Sequence, residues 1–199
     1  MASESEVANL AAVRMGTAVR ITSLDDNRTV ARTLKAVWAA ERQATIRDGS
    51  WNFATRTVQL PAVDPATLDG GAVPLPWANA FRLPPGCLRL LEVVDLTARD
   101  AFERQGDLVL CDGDAPLNVR ICIDMPEMGG WDADAVAAFA LRLAWRCGHK
   151  IAGSAFDAQA CWAEYREASM RAKAIDAREM PPIAQEESDW ITARMTGRW

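Results

Sequence analysis

The chain has 199 residues, half of them hydrophobic and a quarter charged, with a net charge of −5. This composition predicts a folded domain with a substantial core and excludes disorder over most of the length. The sequence contains no apolar run of bilayer length, and residues 1–9 are polar and acidic, unlike a signal peptide. We therefore expect a protein with no membrane partner that is made and used without Sec-dependent export.

The five cysteines are widely spaced, odd in number and never arranged as Cys-x-x-Cys. This pattern favours reduced, partly buried thiols in a reducing compartment. Each thiol is expected to pack as a small hydrophobic side chain.

Charge is distributed unevenly along the chain. Residues 61–130 carry five basic and eleven acidic side chains, whereas the flanking thirds are close to neutral. The sequence lacks a basic patch of the size that a dedicated nucleic-acid binder needs. The acidic middle third instead indicates a surface that does not adhere to DNA phosphates.

Helical periodicity predicts a first helix over residues 4–15. Ser3 or Ser5 can cap its amino end, Leu10 lies on the helical spacing of its apolar residues, and Gly16 ends it. A hydroxyl and a carboxylate three residues apart, in residues 23–26, match the start signal of a second helix.

Three further helices follow the same criteria. They are predicted over residues 27–47, from Asp132 or Asp134 to Lys150, and over residues 157–178.

Between the helices the pattern changes to that of strands and loops. Residues 56–60 alternate between polar and apolar side chains, and residues 87–94 form a mostly apolar run, so both are predicted as strands. Residues 61–76 contain four prolines and two adjacent glycines. We call them the Pro/Gly loop and expect them to be long and mobile.

The clearest local pattern is that of a β-hairpin. Residues 108–111 and 117–124 are its predicted arms, and residues 112–116 are its turn. Asp-Gly in this turn supplies residues that tolerate positive φ.

The order of helices, strands and helices favours an α+β fold and argues against a βαβ nucleotide-binding fold. We expect a discontinuous helical bundle of residues 1–55 and 126–180. An antiparallel β module of residues 56–125 is inserted in it. Residues 181–199 form a separate carboxyl-terminal docking tail.

The candidate catalytic and metal-binding residues each have a simpler interpretation. His149 is the sole histidine and is expected to be a cation at the end of a helix. Residues 112–114 lack the other ligands of a calcium loop, and Asp132 and Asp134 stand where helix-capping acids belong. We therefore predict no catalytic residue, no cofactor and no metal.

The docking tail carries aromatic and basic side chains. Tryptophan and arginine are favoured anchors at protein interfaces, so the tail is interpreted as a docking segment. The alternative is a terminus that frays without a partner. The predicted interface residues are Trp190, Ile191, Arg194, Arg198 and Trp199.

A series of short motifs runs through the chain in a fixed order. It begins with Ser5-Glu6-Val7-Ala8-Asn9-Leu10-Ala11, Met15-Gly16, Arg20-Ile21, Ser23-Leu24-Asp25-Asp26 and Ala31-Arg32. It continues with Trp51-Asn52-Phe53-Ala54, Phe81-Arg82-Leu83-Pro84-Pro85-Gly86-Cys87-Leu88-Arg89, Trp131-Asp132 and Trp190-Ile191-Thr192-Ala193-Arg194. Together these motifs resemble the tail tubular protein A family, the connector or adaptor proteins of short-tailed phages. The chain departs from the family pattern at Phe81, where tyrosine is usual, and at Gly86, where an acid is usual.

The resemblance implies a helical bundle carrying a β-rich projection, with no enzymatic activity. It implies a virion structural protein at the head-tail junction, made in the host bacterial cytoplasm. The protein would form a homo-oligomeric ring, usually a dodecamer, under the portal protein. A tail nozzle or stopper protein would bind the other side, and DNA would contact the ring only in transit through its lumen during ejection. Similar adaptors occur in long-tailed phages and gene transfer agents, so the particle type stays open.

Other functions remain possible on the sequence. The chain could be another virion assembly protein, such as a tail terminator or completion protein. It could be a small cell-wall hydrolase that uses His149. It could also be a small intracellular binding module unrelated to phages.

Overall fold

The computed structural model describes residues 2–97 and 100–179. This part of the chain contains four α-helices and two three-stranded antiparallel sheets, with the strands inserted between the second and third helices. The predicted α+β fold, a helical bundle with an inserted antiparallel β module, is therefore confirmed. The helices are α1 (Glu4–Arg14), α2 (Thr29–Asp48), α3 (Ala133–Ala152) and α4 (Ala158–Asp176).

Helix α1 begins with a reciprocal capping box. The Ser3 hydroxyl accepts the Glu6 backbone N–H at 3.3 Å, and the Glu6 carboxylate accepts the Ser3 backbone N–H at 2.7 Å. The predicted cap by Ser3 is confirmed. Helix α4 begins in a similar way, because Asp157 accepts the Ala160 backbone N–H at 2.9 Å.

The predicted capping signal of α2 in residues 23–26 is wrong. Asp26 accepts hydrogen bonds from the backbone and hydroxyl of Thr22, so it closes a local loop before the helix. The helix begins at Thr29 instead, and its N-cap residue Arg28 makes no side-chain cap. At α3, Asp132 occupies the N-cap position as predicted, but its side chain caps no amide.

The six strands form two sheets of antiparallel neighbours. They are β1 (Thr55–Leu60), β2 (Asn79–Arg82), β3 (Cys87–Val93), β4 (Phe102–Gln105), β5 (Leu108–Cys111) and β6 (Leu117–Ile123). One sheet has the order β1-β6-β3 and the other has the order β2-β5-β4.

The predicted hairpin between residues 108–111 and 117–124 is wrong. Both segments are strands, but β5 pairs with β2 and β4, whereas β6 pairs with β1 and β3. Residues 112–116 therefore carry the chain from one sheet to the other. The hairpin that does form joins β4 to β5 through Gly106 and Asp107, with Gly106 at φ +61°. Glycine at the first position suits a two-residue type II′ turn.

The two sheets pack face to face over a shared core. Its buried members are Leu60, Phe81, Leu83, Val93, Val109, Cys111, Leu117, Val119 and Ile121. The Pro/Gly loop packs against the other face of β2-β5-β4, where Leu68 meets Ala80 and Leu110. The backbone N–H of Val63 donates to the Ala80 carbonyl at 2.8 Å and anchors this loop.

The helices share a core with a continuous row of aromatic rings. Trp51 stacks on Phe53, Phe53 stacks on Trp131, and Trp131 lies beside Phe139, with centroid distances of 5.9, 4.9 and 5.4 Å. Trp38 meets the edge of Phe139 at 5.1 Å. Pairs of this kind add about 0.5–1.5 kcal/mol beyond the burial of their area.

Helix α2 also joins the helices to the β1-β6-β3 sheet. Cys122 of β6 belongs to the helical core, and Arg42 forms a two-pronged pair with Asp124 at 2.9 and 2.7 Å. Packing is therefore continuous from the helices into this sheet. The predicted boundaries at residues 55 and 126 stay a prediction.

Candidate interaction surfaces

The candidate catalytic residues do not meet in one place. His149 is exposed in the last turn of α3, the helix end where it was predicted, with its ring 5.8 Å from Phe156. Asp132 and Asp134 lie at the opposite end of the same helix. Within residues 2–97 and 100–179, no three or more His, Cys, Asp and Glu side chains are grouped to hold a metal ion.

The cysteines are five free thiols, in agreement with the sequence. Four are buried and Cys87 is half-buried. Burial raises the pKa of Cys122 and that of Cys147 to about 11. Since the thiolate is the nucleophile, these two groups are inert at neutral pH.

Polar groups at the meeting point of α2, α3 and α4 form a network around one arginine. Arg142 Nε donates to Glu41 at 2.7 Å, and its Nη1 donates to the Tyr165 hydroxyl at 2.8 Å and to Asp48. Burial alone would lower the pKa of Arg142, but the hydrogen bonds that it donates to Glu41, Tyr165 and Asp48 raise it. The arginine stays charged, and its role is to hold three helices together.

An apolar groove of about 540 Å³ lies on the outer side of α1. We call it the α1 groove. The residues that line it are Glu6, Asn9, Leu10, Val13, Thr17, Ala18, Val19 and Arg20. Leu10 is 50% exposed and Val13 is 75% exposed, although both are aliphatic. Leu10 therefore follows the helical spacing of α1 but lies outside the buried side of the helix.

The walls of the α1 groove are fixed by hydrogen bonds. The Asn9 side chain donates to the Ile21 carbonyl and accepts the Ile21 backbone N–H, both at 2.8 Å. Arg14 forms a two-pronged pair with Glu164 of α4 at 2.6 and 2.9 Å. Helix α1 packs on the core through its inner side, which buries Val7, Ala8, Ala11 and Ala12. The exposed side chains of Leu10 and Val13 take no part in that packing. The α1 groove is therefore an exposed apolar surface with a fixed shape.

Acidic side chains gather where the two sheets are connected. Asp95, Asp100, Asp112 and Asp114 line an open recess of about 460 Å³, which we call the acidic recess. The backbone N–H of Asn118 holds the pKa of Asp95 below its usual range, and that of Thr97 does the same for Asp100. Among the described residues, the lining contains four aspartates and no basic side chain, so the recess is acidic.

The predicted interface residues Trp190, Ile191, Arg194, Arg198 and Trp199 lie outside the described residues. Of the other tryptophans, Trp38, Trp51 and Trp131 are buried. Trp145 and Trp162 pair on the helix surface at 4.5 Å. Half-buried Trp77 donates its indole N–H to Glu103 at 3.2 Å.

Two features of these surfaces were not predicted from the sequence. Leu10 and Val13 are three residues apart and fall outside the inner stripe of α1, which is the signal that would have identified the α1 groove. The acidic recess was anticipated only as an excess of acids over residues 61–130. Its four carboxylates come together through the connection between the sheets, which the hairpin prediction had misplaced.

Within residues 2–97 and 100–179, no helix is both long and apolar enough to cross a membrane. Comparison with models of known protein families gives no match, and a search among curated proteins finds no significant relative.

Proposed function

We propose that the chain is the head-to-tail connector of a tailed phage or phage-like particle. It forms a ring under the portal protein and joins it to the tail, and DNA passes through the lumen. The observation that carries this proposal is the ordered series of motifs, from residue 5 to residue 194, that resembles the tail tubular protein A family. The α+β architecture, with strands inserted in a helical bundle, supports it because the family resemblance implies the same arrangement.

A ring subunit must present two different surfaces, one to each neighbour. The α1 groove is one such surface in this proposal, and its occupant is the next copy of the chain. Exposed apolar side chains elsewhere supply the complementary surface. They are Leu75, Val94 and Phe102 of the β module.

The acidic recess faces the lumen in this proposal. DNA phosphates are repelled by carboxylates, so an acidic border lets DNA slide without adhering. Asp95, Asp100 and Asp112 are suited to this role because their hydrogen bonds to backbone N–H groups fix their orientation.

The docking tail binds the portal in this proposal. Deletion of residues 188–199 is expected to abolish binding to isolated portal and to leave circular dichroism and the unfolding midpoint of the remaining chain unchanged. Normal attachment of the truncated chain to portal would refute the role of the tail.

The subunit contact is tested by Val13→Asp, which puts a charge in the α1 groove at a position 75% exposed. We expect loss of the ring on portal in electron micrographs, with a folded subunit. Val37→Asp would be a poor control because Val37 packs on the core. Arg47→Asp, at an exposed site near the end of α2, is the matched surface control and should leave the ring intact. Rings of normal size with Val13→Asp would remove the α1 groove from the interface.

A further inference from the structure

Leu75 is the most exposed of the large apolar side chains among the described residues. It is 92% exposed, whereas Val94 is 48% exposed and Phe102 is 46% exposed. Phe102 lies in β4 and Val94 directly follows β3, but Leu75 lies in the Pro/Gly loop, outside any strand. The side chain of Leu75 therefore contributes almost nothing to folding, and its apolar area is available for burial against another molecule.

The Pro/Gly loop holds Leu75 in a defined position. Leu75 stands between Pro74 and Pro76, and the ring of each proline fixes its own φ. The side chains of Val73 and Trp77 pack against the apolar cluster under the loop. The backbone N–H of Trp77 also donates to the Pro74 carbonyl at 3.2 Å. Because the loop is already ordered around Leu75, little conformational entropy is lost when this side chain is buried against a partner.

The α1 groove has the shape and lining to receive a projecting aliphatic side chain. It has a volume of about 540 Å³, and the apolar residues Leu10, Val13 and Val19 line it. Leu10 and Val13 are each at least half exposed, so the groove is open within a single copy of the chain. Leu75 of the same copy does not fill it, because that side chain is itself exposed. A contact between the two therefore joins two copies of the chain.

The charges beside the two surfaces are complementary. Residues 61–76 contain Asp64 and Asp69 and no basic side chain. Of the two charged residues that line the α1 groove, Glu6 takes part in the capping box of α1. The other, Arg20, is exposed, and so is Asp69, and neither forms an ion pair within the described part of the chain. Opposite charges of this kind orient two apolar surfaces and disfavour other arrangements.

We propose that Leu75 of one copy inserts between Leu10 and Val13 in the α1 groove of the next copy, with Asp69 facing Arg20. This inference rests on the proposed function, because it names the contact by which the ring subunits meet. The inserted side chain and the groove are different surfaces, so each copy uses both, and the contacts continue from copy to copy until a ring closes. The contact forms between free copies at high concentration as well as on the portal.

The test is disulfide cross-linking between two variants of the full chain, Leu75→Cys and Val13→Cys, mixed at high protein concentration. Both positions are exposed, so the added thiols leave the core intact, and the five natural thiols are buried or half-buried. Oxidation of the mixture should give a reducible covalent dimer that neither variant gives alone. The double variant should give a ladder of larger species, because each copy then carries both thiols. Leu10→Cys in place of Val13→Cys should give the same products.

Two controls separate this contact from random collision. Arg47→Cys, at an exposed site near the end of α2, should give no dimer when it is mixed with Leu75→Cys. Adding Arg20→Glu to the Val13→Cys chain should slow cross-linking about threefold, since an exposed ion pair contributes little energy. Adding Asp69→Arg to the Leu75→Cys partner should then restore the rate, because the two charges are exchanged.

A yield no higher than that of the Arg47→Cys mixture would overturn the inference. So would cross-linking of Val13→Cys to Val94→Cys or Phe102→Cys but not to Leu75→Cys. Electron micrographs of the natural chain with portal separate the contact from the connector role. A ring on portal without the cross-link would keep the connector role and remove Leu75 from the subunit contact. The cross-link without a ring on portal would confirm the contact and refute the connector role.

Discussion

The helical core contains a continuous row of five aromatic rings, four of them buried and Phe53 half-buried, whereas the sheets share an aliphatic core whose one aromatic member, among the described residues, is Phe81. The ion pairs of the two regions differ in how deeply they are buried. Arg142 and Glu41 pair between helices with both side chains largely buried, but Arg120 and Glu92 pair across strands near solvent. The helices therefore form the better-anchored part. The sheets add acidic surface to the molecule, and their charged side chains stay near solvent.

Replacing Phe139 or Phe81 by alanine should have the largest effect on stability, and the two variants compare the two cores directly. Both are fully buried, but Phe139 lies between Trp38 and Trp131, and Phe81 has no ring partner among the described residues. We expect Phe139→Ala to lower the free energy of unfolding by about 4 kcal/mol and Phe81→Ala by about 3 kcal/mol. Urea denaturation followed by tryptophan fluorescence measures both. A larger loss for Phe81→Ala would reverse the comparison.

Removing one partner of an ion pair should have the next largest effect on stability. Arg142→Ala leaves Glu41 and the Tyr165 hydroxyl without their shared donor in a largely buried place, so we expect a loss of about 3 kcal/mol. Arg120→Ala is the matched change in a sheet and should cost about 0.5 kcal/mol, since Glu92 stays half-exposed. The same urea denaturation experiment measures both losses of stability. Equal losses would show that the network at Arg142 is not tighter than a surface pair.

Lowering the pH should change the stability contributions of two carboxyl groups in opposite directions. Burial opposes ionisation of Asp124, but hydrogen bonds from Arg42 and Gln43 outweigh it and hold the pKa of Asp124 below its usual range. Its stabilising contribution is complete above the ordinary aspartate pKa of about 4. That contribution is lost as pH falls through the lower folded-state value. We expect Asp124→Asn to cost about 2 kcal/mol at neutral pH and progressively less in acid.

Asp176 behaves in the reverse manner. Burial, followed by the nearby charges of Asp132 and Glu179, raises its pKa, although its hydrogen bond from the Asn52 backbone opposes the shift. Ionised Asp176 is therefore destabilising at neutral pH, and this penalty disappears as pH falls through its raised value toward the ordinary one. Asp176→Asn should stabilise the chain slightly at pH 7 and have no effect near pH 3. A loss of stability at pH 7 would contradict the raised pKa.

The smallest effect concerns thiol labelling in the native state. Cys87 is half-buried, so an aromatic disulfide reagent should react with it first. Cys111 in the core of the sheets should follow before Cys147 in the core of the helices, if the helices are the better-anchored part. Mass spectrometry of partly labelled protein gives the order. Earlier labelling of Cys147 would show that the helices open more readily.

Local signals predicted the helices well because their causes are local. The cap by Ser3 and the stop at Gly16 involve residues within one turn of α1. The start of α2 was misplaced because Asp26 uses its carboxylate for a loop and leaves the helix uncapped. Strand β4 was missed because all four of its residues are exposed, so it has no alternation to detect.

Strand partners could not be predicted in the same way. Segments β5 and β6 both have strand patterns and are joined by Asp-Gly, but β5 pairs with β4 and with the more distant β2, whereas β6 pairs with the distant β1 and β3. The acidic recess could not be placed either, because Asp95 and Asp112 come together only through the connection between the two sheets. A sequence pattern describes one segment at a time, whereas register and recesses depend on which segments meet.

The central claim is the connector ring, and electron microscopy of the full chain with portal protein from the same particle tests it most directly. Negative-stain images of the chain alone, of portal alone and of the mixture should be compared. We expect a ring with a central channel stacked on one face of the portal, and we expect this ring to be lost when residues 188–199 are deleted. A chain that leaves the portal bare at high concentration, or that binds isolated tail tube instead, would contradict it.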